Sequence, residues 1–283
     1  MNILILGATG FIGSAVAARL LGDGHVITGL GRNPGRARLR QPGIRWISAN
    51  LAKMTDAADW ASVLEGQQIV VNSAGALQDG LSDDLAATQE RAMIALQGAG
   101  YMDGVKLIVQ ISARTDGAGR DRPFLATKRA ADLALAASGM PYVILRPALV
   151  LGRNAHGGTA LLRSLAAFPL VLPLIHADSP VETVAVEDVA AAVSAAISGT
   201  LPSGSDIELA AEERQTLASL VKLHRAWLGL PDAPVISVPP ILARPVTWLA
   251  DMAGHLAGAR RCAPLPSPLC PKVSAWIARQ HQA

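Results

Sequence analysis

Three glycines near the start of the chain constrain its fold more than any other feature. Gly7, Gly10 and Gly13 have the spacing GxxGxxG and follow a continuous apolar run. Such a run is typical of a strand that is covered on both faces. An alanine-rich amphipathic segment follows the glycines, and residues 25–30 form a second apolar run. This order predicts a β-α-β unit, which implies a parallel sheet with helices on its faces.

The glycine turn indicates a phosphate site. Glycines at this spacing allow a sharp turn, a close approach of the backbone to a pyrophosphate, and tight packing of the helix on the strand. The first N–H groups of the following helix are unpaired and point at the phosphates. Glycines in turns are often merely structural, but here they lie between a buried strand and a helix. The sequence therefore predicts a dinucleotide site.

The end of the second strand bears on the choice of cofactor. About twenty residues past the glycines, an acidic side chain would bind the ribose 2′-hydroxyl of NAD. Arg32 stands there instead, and Arg36 follows closely. A guanidinium suits a 2′-phosphate through charge-assisted bidentate bonds. NADP is therefore favoured over NAD, with a solvated arginine in a basic loop as the alternative.

Two more strands are predicted before residue 76. Residues 44–51 indicate a third strand with Asn50 at its carboxyl end, near the adenine, and residues 67–75 a fourth. The fourth closes on the small residues Ala74 and Gly75, which allow a cofactor to lie against the backbone. Successive strand ends would then border one crevice, where open parallel sheets bind their ligands.

Motifs along the chain resemble the short-chain dehydrogenase/reductase superfamily. They are GATGFIG at 7–13, LIVQISA at 107–113, FLATKRAADLALAASGMPYVILRPALVLG at 124–152 and VETVAVEDVAAAV at 181–193. Their order resembles the extended and atypical branches, which include sugar-nucleotide epimerases and dehydratases, NADP sensors and an accessory subunit of respiratory complex I. The resemblance covers about residues 1–230.

The resemblance implies an α/β fold, a doubly wound parallel sheet of the Rossmann type with a small C-terminal substrate-side subdomain. Residues 1–152 would form the NAD(P)-binding domain, and residues of about 181–210 would rejoin its core. Residues 153–283 would form the C-terminal substrate-side region.

The resemblance also implies roles for individual residues. Ser112 would orient a substrate carbonyl or hydroxyl, with an ordinary strand-end hydroxyl as the alternative. Lys128 would hold the nicotinamide ribose, with an exposed helical lysine as the alternative. Both are the candidate catalytic residues. The residues expected to border the cofactor are Gly7, Thr9, Gly10, Phe11, Ile12, Gly13, Arg32, Arg36, Asn50, Leu51, Ala74, Gly75, Lys128 and Pro147.

Phe124 departs from the pattern of the superfamily, where a tyrosine usually precedes the lysine by four positions. A phenol can exchange a proton with the reacting oxygen, whereas a phenyl ring has no proton to give. Three explanations stay open. Another group or a water supplies the proton, the chemistry needs no such proton, or the cofactor is bound without turnover.

Charge and cysteine content exclude other classes of site. A net charge of +3 gives no broad basic face for nucleic acid. Cys262 and Cys270 lack the companion spacing of a zinc site or a disulfide framework, so no metal is predicted and a reducing cytoplasm is expected. The proline-rich tail, with Trp248 and Trp276, indicates short docked helices, contact with a membrane surface, or a tail inherited from a longer architecture. The sequence does not indicate the oligomeric state.

Two functions follow. The first is an NAD(P)H-dependent oxidoreductase, or an epimerase/dehydratase relative, that transfers hydride to or from a small or apolar substrate without the usual tyrosine. The alternative is a noncatalytic protein whose bound NADP reports redox state or stabilises a complex, with no small-molecule substrate.

Overall fold

A computed structural model describes residues 1–75, 84–115, 121–153 and 158–239. The chain forms two compact units. Of the described residues, the first unit contains 1–75, 84–115, 121–153 and 182–213, and the second contains 158–181 and 214–239. The tail for which docking or membrane contact is predicted lies outside the described residues from residue 240. Within the described ranges, no helix has both the length and the apolar composition needed to cross a bilayer.

The strands of the described chain are short. They are β1 (Asn2–Leu6), β2 (Val26–Gly31), β3 (Arg45–Ser48), β4 (Ile69–Asn72), β5 (Leu107–Ile111), β6 (Tyr142–Pro147), β7 (Leu149–Leu151), β8 (Leu172–Leu174), β9 (Pro180–Val181), β10 (Thr183–Ala185), β11 (Ser205–Leu209), β12 (Gln215–Thr216) and β13 (Val235–Ser237).

The helices lie between these strands. They are α1 (Phe11–Gly22), α2 (Gly35–Arg40), α3 (Ala61–Leu64), α4 (Ala92–Met102), α5 (Pro123–Ala137), α6 (Gly158–Ala166), α7 (Val186–Ile197) and α8 (Leu217–Trp227). Two 3-10 turns, Leu51–Lys53 and Ala57–Trp60, and a π-helical segment, Ala86–Arg91, complete the list.

The first unit is built on a seven-stranded sheet in the order β11-β6-β5-β4-β1-β2-β3. Every neighbouring pair is parallel. The chain moves outward from β1 to β3, then returns to β4 on the other side of β1 and moves outward to β6. The predicted doubly wound sheet is therefore confirmed. The strand order reverses between β1 and β4, and ligands of such sheets bind at the carboxyl ends there.

The central strand β1 shows why this sequence forms a covered sheet. Its side chains alternate between the two faces, as the period of a strand requires. Ile3 and Ile5 belong to the core cluster that includes residues of α1 and α7. Leu4 and Leu6 belong to the cluster on the opposite side, with residues of α4. Each fully buried aliphatic side chain contributes about 1.5–3 kcal/mol relative to an exposed one.

Two predicted strands end earlier than the sequence indicated. The third ends at Ser48 and the fourth at Asn72. The Asn50 side chain accepts a bond from the Ala52 N–H, and the Asn72 side chain accepts one from the Ala74 N–H. Asparagine side chains compete with the ladder for backbone donors and so favour turns.

The second unit packs α6 against α8, and two arginines support this pairing. Arg225 is buried on α8 and donates to the carbonyl oxygens of Ala166 and Phe168, each at 2.8 Å. The Arg163 guanidinium lies 4.5 Å from the ring centroid of Trp227. Within this unit β8 pairs with β13 and β9 pairs with β12.

Candidate functional site

The turn after β1 is built from backbone rather than from side chains. Gly7 has φ +72°, a conformation that suits glycine. Its N–H donates to the Leu30 carbonyl at 3.0 Å, and its own carbonyl accepts from the Gly10 N–H at 2.8 Å. A Cβ on Gly7 would lie 2.8 Å from Cα of Ala74. The loops after β1 and β4 therefore touch through atoms that leave no room for a side chain.

The start of α1 fits a phosphate group. A Cβ on Gly13 would lie 2.3 Å from the Gly7 carbonyl oxygen and 2.5 Å from the Ser73 Oγ, so the helix packs directly on the turn. Gly10 is the N-cap residue and provides no capping side chain. The first N–H groups of a helix need acceptors from outside it. A pyrophosphate would supply them, and the bare turn leaves space for it.

The predicted adenosine end lies at the carboxyl ends of β2 and β3. Arg32 directly follows β2 and is exposed, as is Arg36 in α2. Asn50 follows the neighbouring strand, and the buried Leu51 comes next. Thr9 reaches toward this edge, since a Cβ on Gly31 would lie 2.8 Å from its Cγ2.

Lys128 lies at the other end of the crevice and is buried, with 7% of its surface exposed. It projects from α5, and its Nζ donates to the Ile111 carbonyl at the end of β5 at 3.1 Å. A Cβ on Gly75 would lie 3.9 Å from the same Nζ. The structure thus places Lys128 beside the loop after β4. It is not an exposed helical lysine.

Phe124 lies one turn before Lys128 on α5. The Nζ atom is 5.8 Å from the centroid of the phenyl ring, within the range of a cation–π contact. The ring therefore stands next to the ammonium group and offers it no proton acceptor.

Ser112 follows β5 and is buried against a carboxylate. Its hydroxyl donates to Oδ2 of Asp132 at 2.6 Å. Asp132 is 2% exposed and lies one turn after Lys128 on α5. The proton of the Ser112 hydroxyl is therefore held by a buried acceptor.

Arg146 extends this buried network toward the edge of the sheet. Its guanidinium lies 2.9 Å from Oδ2 of Asp132 and makes two bonds to Asp206, at 2.6 and 2.8 Å. It also donates to the Ala113 carbonyl at 2.9 Å. Pro147 follows it as the last residue of β6. The sequence motif at 124–152 contains Arg146 and Pro147, but it does not indicate the two carboxylates that pair with the arginine.

Burial sets the ionisation of the two charged groups nearest the crevice. Desolvation lowers the pKa of Lys128 from 10.5 to about 8; the Asp132 charge opposes this shift and the Arg146 charge adds to it. Desolvation raises the pKa of Asp132, against the hydrogen bond from Ser112 and the charges of Arg146 and Lys128. A lysine with a pKa near 8 can both hold and release a proton close to neutral pH.

The predicted site residues lie on the side of the sheet that is formed by the carboxyl ends of its strands. The glycine turn, Ala74, Gly75, Ser112 and Lys128 lie at the carboxyl ends of β1, β4 and β5, and the arginines lie at the end of β2. Among the described residues, no cluster of three or more His, Cys, Asp or Glu side chains is arranged to hold a metal ion.

A family model described as NAD(P)H-binding matches residues 7–199. The match covers more than half of the chain, and the chain belongs to this family. The predicted membership of the short-chain dehydrogenase/reductase superfamily is confirmed by this match together with the fold.

Two protein relatives illustrate the range of matches. An uncharacterized protein of Mycobacterium tuberculosis is 28% identical over 254 residues, which is 89% of this chain and 26% of the relative. The chain thus spans about a quarter of the length of its mycobacterial relatives. A (4-alkanoyl-5-oxo-2,5-dihydrofuran-3-yl)methyl phosphate reductase of Streptomyces griseus is 28% identical over 230 residues, 81% of this chain and 74% of the relative.

Solved structures share the fold. The enzyme WbmH of Bordetella bronchiseptica in complex with NAD+ has a TM-score of 0.71 at 18% identity, covering 84% of this chain and 85% of the other. The UDP-glucose 4-epimerase of Thermotoga maritima, with UDP-glucose, has a TM-score of 0.68 at 17% identity, covering 84% and 86%. At these identities the likeness establishes the fold.

Proposed function

We propose that the protein is an NAD(P)H-dependent oxidoreductase that reduces a small or moderately apolar carbonyl substrate. One observation carries the proposal: Ala74, after β4, packs against Gly7 of the glycine turn, and the next residue, Gly75, lies beside the buried Lys128, where an added Cβ would be 3.9 Å from Nζ. A dinucleotide whose pyrophosphate lies on the turn would then place its nicotinamide ribose near the lysine. Bound there, the nicotinamide supplies or accepts hydride.

Side chains of this chain would position the reactants. Lys128 has two ammonium protons beyond the one bonded to the Ile111 carbonyl, and one of them suits a ribose hydroxyl. The Ser112 hydroxyl donates its hydrogen bond to Asp132, so its oxygen keeps lone pairs that accept a bond from a substrate hydroxyl. Ser112 would therefore bind the alcohol form of a carbonyl/alcohol pair directly.

The Streptomyces relative supports the choice of reaction. It is named as a reductase, and this chain covers 74% of its length. The assay that tests the reaction follows the absorbance of NADPH with a panel of quinones, aldehydes and enones. Oxidation of NADPH by any member supports the proposal. Tight binding with no oxidation across the panel counts against it.

NADPH is proposed as the preferred cofactor because Arg32 and Arg36 flank the end of β2. We expect Arg32→Gln to weaken NADPH binding roughly 10- to 100-fold, the value of a charge-assisted hydrogen bond. NADH affinity should change little, because NADH carries no 2′-phosphate. Isothermal titration calorimetry with both nucleotides measures the two values. Arg40→Gln, at the end of the following short helix α2, is the matched control. Equal losses for NADPH and NADH would reject a role in reading the phosphate.

A noncatalytic NADP-binding protein, either a redox sensor or a complex-stabilising subunit, is the second candidate. Phe124 favours it, since the ring beside Lys128 has no proton to exchange. The variant Lys128→Met distinguishes the two candidate functions. An enzyme loses turnover, whereas a sensor loses only affinity for the cofactor.

A further inference from the structure

The group that protonates the substrate can be sought among the side chains at the end of the crevice. The candidates lie around the Lys128 Nζ, which is bordered by the Phe124 ring, the end of β5 and Gly75 after β4. A donor there must carry an exchangeable proton that the fold has not already assigned elsewhere.

Three neighbours fail this requirement. Phe124 has no exchangeable proton. The Ser112 proton is held by Asp132 at 2.6 Å. The Thr127 hydroxyl lies 2.9 Å from the Pro123 carbonyl, within its own helix. Lys128 is different, because its three protons outnumber its one hydrogen-bond acceptor among the described residues, the Ile111 carbonyl.

We infer that Lys128 is itself the proton donor of the reduction, in the place that a tyrosine would take beside it. The inference rests on the proposed function and deepens it. Lys128 gives one ammonium proton to the carbonyl oxygen as the carbonyl carbon receives hydride, with its electron pair, from the reduced nicotinamide. The carbon–oxygen π bond breaks, an alcohol forms, and the neutral amine takes a new proton from water.

The charges that face Lys128 suit this role. Asp132 lies one turn away on α5, but no carboxylate of the described residues pairs with Nζ within ion-pair distance. Arg146, from β6, adds a repelling positive charge. The carbonyl from β5, the Phe124 ring and residues 73–75 after β4 are uncharged. With burial, these surroundings lower the pKa of Lys128 to about 8, which keeps the amine mostly protonated at pH 7 while making release easy.

The matched variants are Lys128→Arg and Lys106→Arg. An arginine keeps the positive charge and the hydrogen-bond donors but does not release a proton at accessible pH. We expect Lys128→Arg to keep NADPH affinity within about tenfold and to lose turnover by about 100-fold or more, the usual contribution of a general acid. Lys106 is exposed at the amino end of β5, so its replacement should change neither quantity.

A rescue variant guards against a misfolded arginine mutant. Phe124→Tyr adds a phenol next to position 128, and the double variant Phe124→Tyr, Lys128→Arg should recover turnover by at least about tenfold over Lys128→Arg alone. Recovery would show that the arginine protein is folded and lacks only a proton. Thermal unfolding of each variant checks the fold separately.

A titration without substrate gives an independent reading. The chain has five lysines, so ¹³C-labelling at the ε carbon gives few signals, and Lys128→Arg identifies that of Lys128. Its midpoint is expected near 8 in the wild-type protein, with the other four lysines as internal references.

Three results would overturn the inference. One is turnover by Lys128→Arg within about threefold of the wild-type protein. Another is a Lys128 signal that titrates at the ordinary value of 10.5. Both leave the proposed oxidoreductase intact. The third is a wild-type protein that binds NADPH and reduces no panel member, which removes the proposed function and the proton donor together.

Discussion

The two ends of the crevice are constructed in opposite ways. At the glycine turn, Gly7 and Gly13 bring backbone atoms together, and any added side chain would collide with them. At the lysine end, Lys128 and Asp132 are buried charged side chains whose bonds to neighbours make burial tolerable. The stability of the glycine turn is therefore most sensitive to substitutions that add atoms. The stability of the lysine end is most sensitive to substitutions that remove a bonding partner.

The largest expected effect is at Asp132. Replacing it with alanine removes a buried partner of Arg146 and the acceptor of Ser112. We expect Asp132→Ala to lower the free energy of unfolding by about 3–5 kcal/mol, as for other broken buried ion pairs. Denaturant unfolding at pH 7 measures the change.

Asp206→Ala is the control, because Asp206 bonds the same arginine from a side chain that is 46% exposed, against 3% for Asp132. Its loss should be about 1 kcal/mol or less. Equal losses of stability for the two variants would mean that the burial of Asp132 does not increase its contribution to the free energy of unfolding.

The second largest expected effect is a pH dependence of the free energy of unfolding that comes from Lys128. The folded chain releases this proton near pH 8, whereas the unfolded chain holds it to about 10.5. The unfolded state therefore binds more protons between these values, and the free energy of unfolding rises with pH across that window. Relative to Lys128→Met, the wild-type protein should gain up to about 3 kcal/mol between pH 8 and 10.5.

Comparison of the two proteins by denaturant unfolding across this range cancels the contributions of the other groups. Lys106→Met, at an exposed position, serves as the control and should show no such slope. A constant difference between the wild-type protein and Lys128→Met would contradict the lowered pKa.

The smallest expected effect is on stability at the glycine turn, and it is measured by comparing two glycines of α1, Gly13 and Gly22. Gly13→Ala places a methyl group 2.3 Å from the Gly7 carbonyl oxygen, whereas a methyl group on Gly22 meets no atom within 4 Å. We expect Gly13→Ala to cost about 1–3 kcal/mol of stability and to weaken NADPH binding. Gly22→Ala should be neutral or stabilising by up to about 1 kcal/mol. Thermal unfolding and calorimetry give both values, and a harmless Gly13→Ala would refute the close contact.

The same contrast explains what the sequence predicts and what it does not. The glycine turn is local, because seven consecutive residues and their flanking apolar runs contain its signal. The role of Asp132 is not local. A lysine and an aspartate one helical turn apart usually form an exposed pair, and only tertiary packing decides that both are buried here.

One available signal for the buried network lay in β6. Arg146 interrupts an otherwise apolar strand, and a charge in a covered strand requires a carboxylate partner. That rule predicts a partner but does not name it. Asp132 and Asp206 come from α5 and β11, which lie on either side of β6 in the chain, and pairing them with Arg146 requires the fold.

The packing of α1 against α7 bears on how this protein is made. Val16 of α1 and Val189 of α7 share one core cluster, and Ser194 donates to Asp23 at 2.7 Å. These partners are separated by most of the first unit, so at about 5–20 residues per second the ribosome needs on the order of ten seconds to deliver α7 after α1. During that interval one apolar face of the nascent sheet is covered by α1 but lacks the cover that α7 provides. Apolar surface that stays exposed until α7 is made favours aggregation of the growing chain.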